Sequence, residues 1–76
     1  MNNTRRKALE EIIDELSSLR DRLEELKDEE EEYMENVPEN LQGSERYETA
    51  ENAVSAMDYA LDSIDEATSN IEEAMA

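Results

Sequence analysis

Asp and Glu supply 23 of the 76 residues, and there is no His and no Cys. Any side-chain chemistry must therefore be carboxylate chemistry. The pairs Glu29/Glu32, Glu48/Glu51 and Asp62/Asp65 have the i, i+3 spacing that sets two carboxylates on one helical face. Metal-dependent all-helical nucleotide hydrolases use that spacing. Here it comes without a His, a phosphate-binding basic group or a wider pocket, and no oxygen-ligand loop of the EF-hand type is present. The Ser and Thr residues fall on helix faces or caps with no base beside them, so nucleophilic catalysis has no support. No catalytic residue, metal ligand or cofactor is assigned, and the expectation is a protein that is not an enzyme.

What remains is the placement of charge. The stretch "KDEEEEYMENVPENLQGSERYE", residues 27 to 48, concentrates carboxylates at the end of a helical pattern. Residues 24 to 51 hold twelve acids against Lys27 and Arg46, while Arg5, Arg6 and Lys7 sit at the chain start. A helix favours anions at its N-terminus and cations at its C-terminus, by about 0.3 to 1 kcal/mol each, so this order is reversed at both ends. The like-charge neighbours Glu24/Asp28, Glu25/Glu29, Asp28/Glu32 and Glu31/Glu35 add repulsion of roughly 0.2 to 0.5 kcal/mol each. Two readings follow: a solvated face that aids solubility, or a surface shaped for a cationic partner.

The elements that carry these groups follow from apolar periodicity. Leu9, Ile12, Leu16, Leu19, Leu23, Leu26, Tyr33 and Val37 alternate steps of three and four, with one gap at Glu30. This is a heptad seam with Leu9, Leu16, Leu23, Glu30 and Val37 at a, and Ile12, Leu19, Leu26 and Tyr33 at d. Ile13 and Met34 widen it at e. The second half repeats the pattern, with Tyr47, Val54, Leu61, Thr68 and Met75 at a, and Ala50, Met57, Ile64 and Ile71 at d. The only Pro and the only Gly lie between the two halves. Pro38 drives Val37 out of the helical region, Asn36 tolerates a left-handed cap, Gly43 offers free backbone, and Ser44 caps a helix with Glu45 and Glu48 in its first turn. The expected architecture is all-α, one antiparallel coiled-coil hairpin over residues 1-76: helix 1 about 4-36, turn about 37-43, helix 2 about 44-75.

Folding the hairpin brings Val37 to Tyr47, Tyr33 to Ala50, Leu26 to Met57, Leu23 to Leu61, Leu19 to Ile64, Ile12 to Ile71 and Leu9 to Met75. Glu30, at an a position opposite Val54, reads as a register device or a side chain that reaches solvent. Ala53, Ala60, Ala67 and Ala74 recur every seven residues at g of helix 2. This small-residue column, with Ile13, is the expected interface of a homodimer in which two hairpins form a four-helix bundle. A chain of this size has no disulfide or zinc to stabilise it, which leaves self-association as its staple.

Positions b, c and f of helix 1 carry ten carboxylates: Glu10, Glu11, Asp14, Asp21, Glu24, Glu25, Asp28, Glu31, Glu32 and Glu35. They span roughly 38 Å, about one per 3.8 Å, against about one phosphate per 3.4 Å of a DNA strand. The candidate partner-binding residues are Glu24, Glu25, Asp28, Glu31, Glu32 and Glu35, with Tyr59, an aromatic at f of helix 2, as a contact anchor. With a net charge of -16 the chain should repel nucleic acid directly and attract a basic protein, such as a nuclease or nucleic-acid-binding protein. No apolar run approaches the roughly 18 residues of a membrane span. The start reads as mature protein, and the expected location is the cytoplasm of a bacterial host.

The turn "PENLQGSERYE", with the acidic helix before it and "AENAVSAMDYALDSIDEA" after it, resembles short helical-hairpin proteins of bacteria and their phages, a group that brings no activity with it. The anionic surface is similar to that of DNA-mimic inhibitors, including phage anti-defence proteins such as anti-CRISPRs. On charge and size, that likeness implies a non-enzymatic inhibitor that occupies a basic nucleic-acid-binding surface. The alternative is a self-associating structural or scaffolding bundle whose acidic face serves only solubility.

Overall fold

The computed structural model describes residues 1-76. Helix α1 runs Asn3–Glu35, a 3-10 turn covers Glu39–Leu41, and helix α2 runs Glu45–Met75. The two helices lie against each other as an antiparallel hairpin, a rod of 59 × 15 × 13 Å.

Both helix starts are capped by side chains. Asn2 is extended, and its Oδ1 accepts the Arg5 backbone N–H at 2.8 Å. Ser44 is extended as well, and its Oγ accepts the Tyr47 N–H at 3.3 Å. Each satisfies one of the orphan amide donors of a first turn. Glu45 and Glu48 lie in the first turn of α2, where the helix dipole favours them.

The turn differs from expectation in one respect. Asn36 is right-handed, with φ -85° and ψ -3°, and its N–H still donates to the Glu32 carbonyl at 3.1 Å. The chain leaves α1 by tightening: Val37 N–H bonds the Met34 carbonyl at 3.2 Å, and Leu41 N–H bonds Pro38 at 2.8 Å. No residue has a positive φ, Gly43 included. A left-handed cap is unnecessary because Pro38, fixed near φ -56°, starts the 3-10 turn that redirects the chain.

Packing follows the heptads of α2 more closely than those of α1. Ala50, Val54 and Leu61, from the a and d columns of α2, are the buried residues. On α1 the a column, Leu9, Leu16, Leu23, Glu30 and Val37, is half-buried, and so is the e column, Ile13, Arg20, Lys27 and Met34. The d residues lie at the rim instead: Ile12 is 43% exposed, Leu19 51%, Leu26 56% and Tyr33 43%. The expected a/d seam of α1 is therefore an a/e seam in the hairpin.

Ion pairs explain the rotation. Arg20 and Lys27, both at e of α1, bond Asp65 and Asp58, both at e of α2. One step of seven up α1 is matched by one step of seven down α2, which fixes the register at the same layers the apolar columns give. These bonds, with Ile13 and Met34 in the same column, draw the e face of α1 inward and leave d turned out.

Candidate anionic interface

The ten carboxylates at b, c and f of α1 share one unbroken helix, Asn3–Glu35. Nine are exposed, and the tenth, Glu31, is half-buried. Two have a cation within 4 Å: Glu24 receives Arg20 Nη1 at 2.8 Å, and Glu31 lies 3.9 Å from Lys27 Nζ. The other eight, among them Glu25, Asp28, Glu32 and Glu35, make no ion pair. The first turn of α1 has no acid and its last turn no base, so the macrodipole offsets none of this charge. From Glu10 to Glu35 the outer face of α1 is a column of negative charge in which eight of ten carboxylates are unpaired.

Arg20 and Lys27 are engaged chiefly across the hairpin. Arg20 donates Nε to Asp65 Oδ1 at 2.6 Å and Nη2 to Asp65 Oδ2 at 3.1 Å, a bidentate bond, while Nη1 serves Glu24. Hydrogen bonding and charge at Asp65 raise the Arg20 guanidinium above its ordinary value and lower the Asp65 carboxyl below its own. Lys27 Nζ, 3.0 Å from Asp58, is raised by that bond. Arg6 continues the same column toward the start of α1. Its Nε is closed off from solvent with no hydrogen-bond partner.

The candidate partner-binding residues do not all converge. Glu24, Glu25, Asp28, Glu31, Glu32 and Glu35 lie together on the outer face of α1. Tyr59 is 75% exposed at f of α2, beside Ser55, Asp58 and Asp62. In an antiparallel pair the f positions of the two helices point away from each other, so Tyr59 marks the opposite outer side of the hairpin. A flat partner surface that covers the carboxylates leaves Tyr59 free.

The expected dimer residues divide in a similar way. Ala53, Ala60 and Ala67 are half-buried and Ala74 is exposed, all in one column. Ile13 is half-buried at e of α1, on the ion-paired edge, while the g column of α2 defines the other edge. Ile13 therefore belongs to the hairpin seam and does not join the alanine column. The ladder Arg20–Asp65 and Lys27–Asp58 was missed from the sequence, although its signal was present: opposite charges at e on both helices, seven residues apart.

Glu30 is half-buried and makes no ion pair. With Tyr33, Glu45, Arg46, Thr49 and Ala50 it lines a shallow hollow near the turn. Glu29/Glu32, Glu48/Glu51 and Asp62/Asp65 remain pairs, since no group of three or more Asp or Glu side chains is placed to hold a metal ion. Neither helix is long and apolar enough to cross a membrane. No protein-family model, curated protein or solved structure matches the chain.

Proposed function

We propose that this chain is a non-enzymatic, acidic protein-binding module of the DNA-mimic inhibitor type. The outer face of α1 occupies a basic, nucleic-acid-binding surface of a partner protein. One observation carries the reading: nine of the ten carboxylates at b, c and f of α1 are exposed, and eight have no cation partner. A solubilising surface needs only a modest net charge of mixed sign, whereas every charge at b, c and f of α1 from Glu10 to Glu35 is negative. Glu24, Glu25, Asp28, Glu31, Glu32 and Glu35 stand in for successive backbone phosphates and accept charge-assisted hydrogen bonds from Lys and Arg. Phage or mobile-element anti-defence in the cytoplasm of a bacterial host is the setting that the likeness in charge and size to DNA-mimic inhibitors suggests.

A second reading, a self-associating structural bundle, is favoured by a different observation, the apolar d column that α1 leaves at its rim. The two are compatible if a homodimer presents the acidic faces outward. Ionic strength separates their functional claims, because an electrostatic complex weakens as salt rises while apolar association holds or tightens. The deciding experiment captures host-extract proteins on the immobilised chain and challenges them with duplex DNA at fixed ionic strength. Release of a basic protein by DNA supports mimicry, and capture indifferent to both DNA and salt supports the structural bundle.

A further inference from the structure

The hairpin carries one long face that is nearly free of charge, in a chain of which 39% of the residues are charged. Its large apolar members are Ile12, Leu19, Leu26 and Tyr33, each 43 to 56% exposed and seven residues apart on α1. The e-column ion pairs Arg20–Asp65 and Lys27–Asp58 occupy one edge of the hairpin. The g column of α2 must then lie at the other edge, on the side toward which d of α1 is turned. From residue 49 to residue 74 the c and g columns of α2 hold only Ala, Ser, Thr and Asn. Three charges, Glu15, Arg22 and Glu29, flank the face from g of α1, and Arg5 and Arg46 stand at its ends, in the d column of α1 and the g column of α2.

We infer that this face docks a second copy of the chain, with α1 against α1 in opposite directions, so that the two acidic turns lie at opposite ends of the assembly. The inference rests on the homodimer of the reading above and relocates its interface: the d column of α1 is the centre, Ala53, Ala60 and Ala67 form one flank, and Ile13 is left out.

Charge selects the occupant. Each copy carries -16, so two copies repel across every other surface and can approach closely only where charge is missing. A basic partner is drawn instead to the outer face of α1, where the carboxylates are. Burial points the same way. With three residues buried in the hairpin, a chain this small lacks the core that an independent domain needs, and four half-open apolar side chains in register are what a second copy would complete.

Charge also selects the direction. Residues 24 to 51 carry twelve acids and two bases, and stacking the copies with turns together would superpose these ends. The opposite arrangement spreads them apart. It also carries Arg5, one heptad before Ile12 in the same column, toward Glu39 in the turn of the second copy.

The chain has no Cys, so a single label site can be introduced cleanly in the exposed turn as Gln42→Cys. A spin label there reads the distance between turns in the solution dimer, while sedimentation gives the mass. The arrangement inferred here places the labels on the order of 50 to 60 Å apart, and turns stacked together would place them within about 25 Å. Leu26→Glu should weaken dimerisation at least about tenfold, whereas Ile13→Glu should leave it stronger than Leu26→Glu does. A short label distance overturns the direction and leaves the homodimer standing. A dimer that survives Leu26→Glu but is lost with Ile13→Glu overturns the face. A monomer of full helicity at micromolar concentration overturns both the face and the homodimer. If Leu26→Glu unfolds the chain, the label distance in the Gln42→Cys protein still decides the direction, and Leu26→Ala, which should also weaken dimerisation, decides the face.

Discussion

Arg20 and Asp65, 45 residues apart in sequence, are held by a bidentate bond with contacts of 2.6 and 3.1 Å, and with Lys27–Asp58 they set the rotation of α1 about its own axis. A planar guanidinium matches a carboxylate in a way an ammonium does not. Arg20→Lys should therefore lower the melting temperature, and Arg20→Ala should lower it further. Arg22→Ala, which removes a cation with no ion pair in the hairpin, should cost less than either change at Arg20. Thermal melts of the three variants under one buffer check the ranking.

The same pairs give a signed pH dependence. Asp65 is held below the ordinary carboxylate value of 3.8 by Arg20, so its contribution to stability is full above that value and is lost as pH falls through the lower folded value. Lys27 is held above its ordinary 10.5 by Asp58, so its contribution is full below 10.5 and is lost as pH rises through the higher folded value. Asp65→Asn should be less stable than the parent near neutrality, and the gap should narrow on acidification. Melting curves of both proteins between about pH 2 and pH 7 test this. A constant gap contradicts it.

The seam makes an uneven prediction for the leucines. Leu61 is buried, and Leu61→Ala should cost about 2 to 4 kcal/mol, within the usual range for a buried leucine. Leu19 is half exposed, so Leu19→Ala should cost about 1 kcal/mol or less within a single hairpin and considerably more in a dimer. Denaturant unfolding at several protein concentrations separates the two, because only the dimer term changes with concentration.

Gly43 has no positive φ, and a Cβ built on it meets nothing within 4 Å. Gly43→Ala should therefore stabilise the chain by roughly 0.4 to 1 kcal/mol through the unfolded state. Loss of stability on this substitution, measured by denaturant unfolding, would show that the turn needs the glycine.

Much of the fold was legible in the sequence because two heptad columns of matched length and phase, broken once by Pro38 and restarted at Ser44, leave little choice but a hairpin. The rotation of α1 was not legible from apolar spacing. The a, d and e columns of α1 all hold large side chains, and which two face α2 depends on where Arg20 and Lys27 find their acids. The turn was readable in place but not in conformation, since Asn and Gly permit a left-handed exit without requiring one. On the anionic face, exposure of nine of the ten carboxylates followed directly from b, c and f placement. Tyr59 was read from its f position and aromatic character, and comparing the f columns of the two antiparallel helices puts it on the far side from the carboxylates.

The claim that the carboxylates of α1 serve binding at a cost to folding is tested by one variant read in two ways. Replacing Asp28, Glu31 and Glu32 together by Gln removes the like-charge pairs Glu24/Asp28, Asp28/Glu32 and Glu31/Glu35, and also the longer 3.9 Å contact with Lys27. The account predicts a gain of about 1 kcal/mol in stability at low salt, together with a large loss in capture of the DNA-displaceable basic protein. A variant that is no more stable than the parent, or that captures the partner equally well, would contradict it.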